Sequence, residues 1–176
     1  MKTGIPQHHT RPWREVACTA FLLLAALLPA GPLAADTILL VTEETVDGNA
    51  CPPPLPLAEG LSEALFERGH IVFDAGQTAP VQERSSLLEL ARSGGATWVL
   101  KAEAAFNEVP FGLGLRRITA TAGWTLIRAE DGSAAMSSTA RGSNEGAEQE
   151  ADRAGLAAKI AAEIADEIAP RLDGGE

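Results

Sequence analysis

The sequence predicts one α/β domain of the α+β kind: a mixed sheet of about five strands in the order β-α-β-α-β-β-β-α, with helices packed on the sheet. Three patterns carry this expectation. A short, unbroken apolar run reads as a strand covered on both faces, apolar residues at helical spacing run up to glycine stops, and from Thr97 onward the apolar period falls to two.

The elements follow in chain order. Residues 37–42, Thr-Ile-Leu-Leu-Val-Thr, are the doubly covered strand. Residues 43–56 read as a loop, because they mix Glu43, Glu44, Asp47 and Gly48 with the run Pro52-Pro53-Pro54, and successive prolines neither donate to a ladder nor continue a helix. Leu57, Ala58, Leu61, Ala64 and Leu65 share a helix face over 57–68, and Gly69 stands where a left-handed cap belongs. A strand at 70–75 and a helix at 83–93, stopped by Gly94-Gly95, complete a β-α-β-α half.

The second half alternates. Trp98, Leu100, Ala102, Ala104 and Phe106 form one face of a strand, and Ile118, Ala120, Ala122, Trp124 and Leu126 one face of the next, over 117–129. Asp131-Gly132 is a hairpin signal leading to a serine-rich strand at 133–141, and Gly142 to Gly146 reads as a polar loop. A long helix over 147–172 carries the stripe Ala151, Ala154, Ala158, Ile160, Ala161, Ile164, Ala165 and Ile168.

The first 35 residues stand apart. A basic stretch with Arg11 and Arg14 precedes an apolar core ending in Leu27-Leu28, and small residues with Pro29 and Pro32 follow up to Ala34-Ala35. This is the three-part pattern of a cleaved secretory signal, and its apolar run is shorter than the roughly 20 residues a spanning helix requires. The expectation is a leader at 1–35, export to the periplasm, and a single domain at 36–176 with no transmembrane segment. Cys18 precedes the apolar core and is not placed for lipidation, so Cys51 is left as the mature chain's one cysteine.

Charge narrows the partners. The chain carries −10 at neutral pH, and removing the leader's +2 leaves −12 on the mature part. Phosphate-rich partners are bound by Lys and Arg, so neither nucleic acid nor an anionic membrane surface fits.

The search for chemistry finds no cofactor, metal or catalytic motif. His70 is the mature chain's one histidine and reads as a satisfied structural residue, since no nucleophile motif accompanies it. Cys51 has no second cysteine to complete a metal or disulfide pair; it reads as a free or intermolecularly bonded thiol in a flexible loop, or as an inert, half-buried cysteine beside the prolines. Glu43, Glu44 and Asp47 lack the alternating oxygen ligands of a calcium loop and read as a solvated acidic segment. Gly112-Leu113-Gly114 lies between strands and opens no helix, which excludes a phosphate cradle.

One segment stands out. Between the two alternating strands, Phe111, Leu113 and Leu115 alternate with glycines at a hairpin tip and adjoin the consecutive pair Arg116-Arg117. These five residues are the candidate partner contact; the alternative is that the tip folds back under a helix end and completes the core.

The element order, with the junction Leu90-Ala91-Arg92-Ser93-Gly94-Gly95-Ala96-Thr97-Trp98-Val99-Leu100 and the turn Ile127-Arg128-Ala129-Glu130-Asp131-Gly132, resembles small envelope domains: the CsgG curli-secretion lipoprotein, the TolB N-terminal domain and the LpoB activator of penicillin-binding proteins. The resemblance implies a non-enzymatic accessory module that binds an envelope protein, with self-association open to it. The alternative from a different class is a small-ligand binder or enzyme whose site forms only in three dimensions, on the exposed face of the alternating strands.

Overall fold

The computed structural model describes residues 35–75, 84–110, 112–113, 115–147, 152–172 and 174. Residues 1–34 of the expected leader, Cys18 among them, and Phe111 lie outside the described residues, whereas Ala35 and Asp36, which flank the expected cleavage point, lie within them. The remainder is an α+β fold, a six-stranded mixed sheet with three helices packed on it, as the sequence leads one to expect.

Strand β1 (Thr37–Val46) is central. It pairs in parallel with β4 (Trp98–Pro110) on one side, while β3 (Ile71–Asp74, parallel) and the two-residue β2 (Asn49–Ala50, antiparallel) share its other side. Strands β4, β5 (Leu115–Arg128) and β6 (Ala134–Ala147) then form an antiparallel meander, so the sheet runs β2-β1-β4-β5-β6 and ends on a 14-residue edge.

The alternation decides which face each helix covers. The even-numbered residues Trp98, Leu100, Ala102, Ala104 and Phe106 of β4, with Ile118 to Leu126 of β5, lie under α1 (Pro56–Glu67) and α3 (Arg153–Leu172) and form the main core. Helix α2 (Arg84–Ser93) covers only one end of the opposite face, where Ala91 packs with Leu39, Val99 and Ala129. Arg92 anchors it by donating to the carbonyls of Ala129 and Glu130 at 2.7 and 2.8 Å. Most of the odd-numbered face of the meander is left without a helix.

Helix ends follow from their residues. Gly69 adopts φ 87°, which a side chain disfavours, and its turn lets the His70 N–H donate to the Leu65 carbonyl at 3.1 Å. Asp152 starts α3 by accepting the N–H groups of Ala154 and Gly155 at 2.9 and 3.1 Å.

Five expectations change. The segment 43–56 is not all loop, because β1 continues through Glu44 to Val46 before a tight turn at Asp47-Gly48. Gly142 to Gly146 is strand rather than loop, and the closing helix begins at Arg153 rather than at residue 147. The hairpin between β4 and β5 is longer than read, since Val109, Pro110 and Leu115 to Arg117 all belong to its strands. His70 is buried at 5% exposure but not satisfied: among the described residues neither ring nitrogen has a hydrogen-bond partner.

Candidate functional site

The β4–β5 hairpin places the sequence-predicted contact residues at one end of the sheet. Leu113 is fully exposed at 104%, in a turn where it and Gly112 adopt φ 44° and 56°. Val109 and Leu115 on the flanking strands are exposed at 55% and 41%. Neither Leu113 nor Leu115 is covered by a helix end, so for these two side chains the fold-back alternative does not apply. Three exposed apolar side chains thus share one hairpin end in an acidic molecule.

The base of the hairpin is fastened by charge. Glu108, its side chain only 14% exposed, accepts from Arg116 at 2.9 Å and from Arg153 at 2.6 and 3.0 Å. Its backbone N–H donates to the Asp47 carboxylate at 3.0 Å. Through its carboxylate Glu108 of β4 therefore joins β5 and the start of α3, and through its backbone N–H it joins the β1–β2 turn. A half-buried, multiply bonded pair of this kind holds geometry better than an isolated surface pair. Arg117 pairs with Glu145 of β6 at 2.6 Å. The positive charge that the sequence placed beside the tip is thus committed to Glu108 and Glu145, and the tip presents chiefly apolar surface.

Behind this clasp lies a buried carboxylate. Glu44 is 5% exposed, and one of its oxygens accepts the N–H groups of Leu57 and Ala58, each at 3.0 Å. The first turn of α1 needs this. Its N-cap is Leu55, which has no side-chain oxygen, and Pro56 follows. Burial pushes the Glu44 carboxyl above the usual carboxylate range, against the opposing pull of the two N–H groups and of Arg153. The reading of Glu44 as solvated acidic loop is overturned, because its place on β1 turns it toward the helices.

Cys51 is a free thiol, 7% exposed, with Arg153 Nη1 3.7 Å from its sulfur. Sequence reasoning missed Glu108 and Arg153 as partners, and nothing local signals residues that lie 45 positions apart.

Two open grooves were tested as ligand sites. One, of about 490 Å³, crosses the open sheet face between Lys101, Glu103, Gly123, Thr125, Ser137 and Thr139. The other, of about 610 Å³, lies along Pro53, Pro54, Leu55, Ala58, Glu59, Ser62 and Asp74. Neither converges buried polar side chains on a common point. In the first the charged groups are Lys101 and Glu103, which pair with each other at 2.7 Å and stay solvated. Their hydrogen bond raises the lysine pKa.

No protein-family model matches the sequence, and neither does any curated protein. Solved structures do resemble it in fold. A subunit of the PelC dodecamer from Paraburkholderia phytofirmans superposes with a TM-score of 0.51 at 18% identity, covering 74% of this chain and 86% of that one. Lipoprotein GNA1162 from Neisseria meningitidis gives 0.48 at 19% identity, covering 76% and 98%. The LpoB C-terminal domain from Escherichia coli, one of the domains the sequence resembles, gives 0.44 at 19% identity, covering 70% and 94%. The chain shares the fold of the PelC subunit.

Proposed function

We propose that this chain is a non-enzymatic accessory module of a bacterial envelope assembly, exported to the periplasm, that binds a partner protein through the tip of the β4–β5 hairpin. The observation that carries the proposal is Leu113, fully exposed between the exposed Val109 and Leu115, on strands whose base is fastened by Glu108, Arg116 and Arg153. Covering apolar side chains that stand in water on a hairpin whose base is fastened by ion pairs favours the complex. The fold likeness to a protein described as a dodecamer adds support for a role in assembly, as does the resemblance to envelope domains that act by binding.

The test is the double substitution Leu113→Ser with Leu115→Ser in the full chain. Because these side chains are exposed, the melting temperature should move by no more than about 1–2 °C, the size expected of a surface change. Partners that co-purify with the wild-type chain from the envelope fraction should be lost. Unchanged recovery of the same partners would overturn the role of the tip.

A further inference from the structure

The two edges of the sheet are built differently. On one side the edge is divided between β3, four residues, and β2, two residues. On the other, β6 runs for 14 residues as Ala-Ala-Met-Ser-Ser-Thr-Ala-Arg-Gly-Ser-Asn-Glu-Gly-Ala. Edge strands that stay single are normally blunted by charged side chains, lysine above all, by proline, short length or bulges, or by a covering helix or loop. Strand β6 has neither proline nor lysine, and its one irregularity lies at its start, opposite Leu126 and Ile127. Among the described residues, no backbone hydrogen bond reaches its outer side.

The ladder pattern identifies the groups on that outer side. The Ala129 N–H donates to the Thr97 carbonyl, so odd-numbered residues of β5 bond toward β4. Even-numbered residues of β5 then bond toward β6, as the Arg128 N–H does to the Ser133 carbonyl. Beyond the bulge Leu126 stands opposite Met136 and Ala122 opposite Ala140, which commits the even-numbered residues of β6 to β5. The N–H and C=O groups of Thr139, Arg141, Ser143 and Glu145 therefore point outward. Their side chains lie together on the helix-free face.

This row is complementary to itself, with Glu145 already held by Arg117 of β5 at 2.6 Å and so able to accept from a second arginine only alongside that pair. Arg141 and Glu145 stand symmetrically about Ser143, and they are the only charged residues in the strand. An antiparallel copy centred on Ser143 sets Arg141 opposite Glu145 twice, and over residues 139–147, where the two strands overlap, each outward N–H meets an outward C=O. No parallel register does this. Thr139 and Ser143 add small hydroxyls that do not obstruct close approach.

We infer that the β6 edge is a homodimer interface, in which two copies of this chain join antiparallel about a two-fold axis at Ser143 and continue one sheet across both subunits. The inference does not rest on the hairpin-tip reading, and either can fail without the other.

The experiment is sedimentation equilibrium of the full-length wild-type chain and three variants, with circular dichroism to establish that each is folded. Wild type should form a dimer. Arg141→Glu alone sets like charges opposite each other at both ends and should weaken the dimer by about tenfold or more. Adding Glu145→Arg together with Arg117→Glu, which keeps the pair within the chain, restores opposite pairs between the copies and should restore dimerisation. Ser143→Pro removes an outward N–H that β5 does not use, and should leave a folded monomer. A wild-type chain that stays monomeric at about 100 μM would overturn the inference, since an affinity weaker than that leaves less than about 5.5 kcal/mol for the interface. So would self-association that is indifferent to Ser143→Pro, or a charge reversal, Arg117→Glu included, that fails to recover the dimer while folded.

Discussion

At the scale of single residues, two buried polar side chains fix what substitution should do. Glu44 serves α1 through an oxygen that accepts two backbone N–H groups, so removing the oxygen and removing the charge are different changes. Glu44→Ala strands both donors and should cost about 1–3 kcal/mol in urea unfolding. Glu44→Gln keeps an acceptor and discards the buried charge, so it should be at least as stable as wild type at pH 7. The sign follows from linkage. Burial raises the native carboxyl above its unfolded value, so between the two the native state holds more protons, and stability falls as pH rises through that window. The Gln variant should lose this contribution, and an unaltered pH profile would show that Glu44 is not its source. His70 gives the companion case. With both ring nitrogens buried and unpartnered among the described residues, His70→Leu removes groups that cost desolvation and return no bond, and should raise the urea midpoint.

At the scale of elements, the crossing of α1 over α3 depends on one missing side chain. A Cβ placed on Gly60 would lie 3.1 Å from the Ala161 Cβ and 3.2 Å from the Ala158 Cα, an approach that backbone and methyl cannot relieve by rotating. Gly60→Leu should therefore force the helices apart and cost about 1–3 kcal/mol or more, read as a lower thermal midpoint. Gly60→Ala sets that tight contact against roughly 1 kcal/mol of helix propensity and should come out near neutral. Elements with a clean period were legible in the sequence: the alternation in β4 and β5 named the buried face residue by residue, and Gly69 and Gly95 marked helix ends. The far end of β6 was not, because Gly142 to Gly146 are small and polar. Gly142 faces Leu156 and Ile160 of α3, and there strand pairing and a close helix, rather than side-chain hydrophobicity, make the strand. Glu44 was recoverable in principle. Its parity with Ile38 and Leu40 points it inward, and a helix opening Leu55-Pro56 has no cap of its own. The tip residues were legible as candidates, but the pairing of Arg116 and Arg117 was not, since Glu108 and Glu145 reach them only through strand register.

At the scale of the molecule, two helices cover one face of the sheet and, among the described residues, most of the other carries no helix, while the apolar tip and the long edge lie at different places on the meander. Three hydrogen bonds fasten the residues at the start of β1. The Asp36 carbonyl accepts the Ile71 N–H at 2.9 Å, its carboxylate accepts the Thr97 hydroxyl at 2.9 Å, and the Thr37 carbonyl accepts the Thr97 N–H at 2.8 Å. These bonds tie β1 to both of its parallel neighbours, so the expected cleavage after Ala35 leaves every one of them in place. A chain starting at Asp36 should then melt within about 1–2 °C of the full chain, whereas a start at Ile38 deletes the acceptors for Ile71 and Thr97. Losing these bonds should lower the midpoint by several degrees, at roughly 1 kcal/mol for each net bond and about 4 °C for each kcal/mol in a domain of this size. N-terminal sequencing of the exported protein should find it beginning close to Asp36. Equal melting of the two truncations would show that the Asp36 and Thr37 bonds contribute nothing, and retention of Met1 in the exported protein would refute cleavage itself.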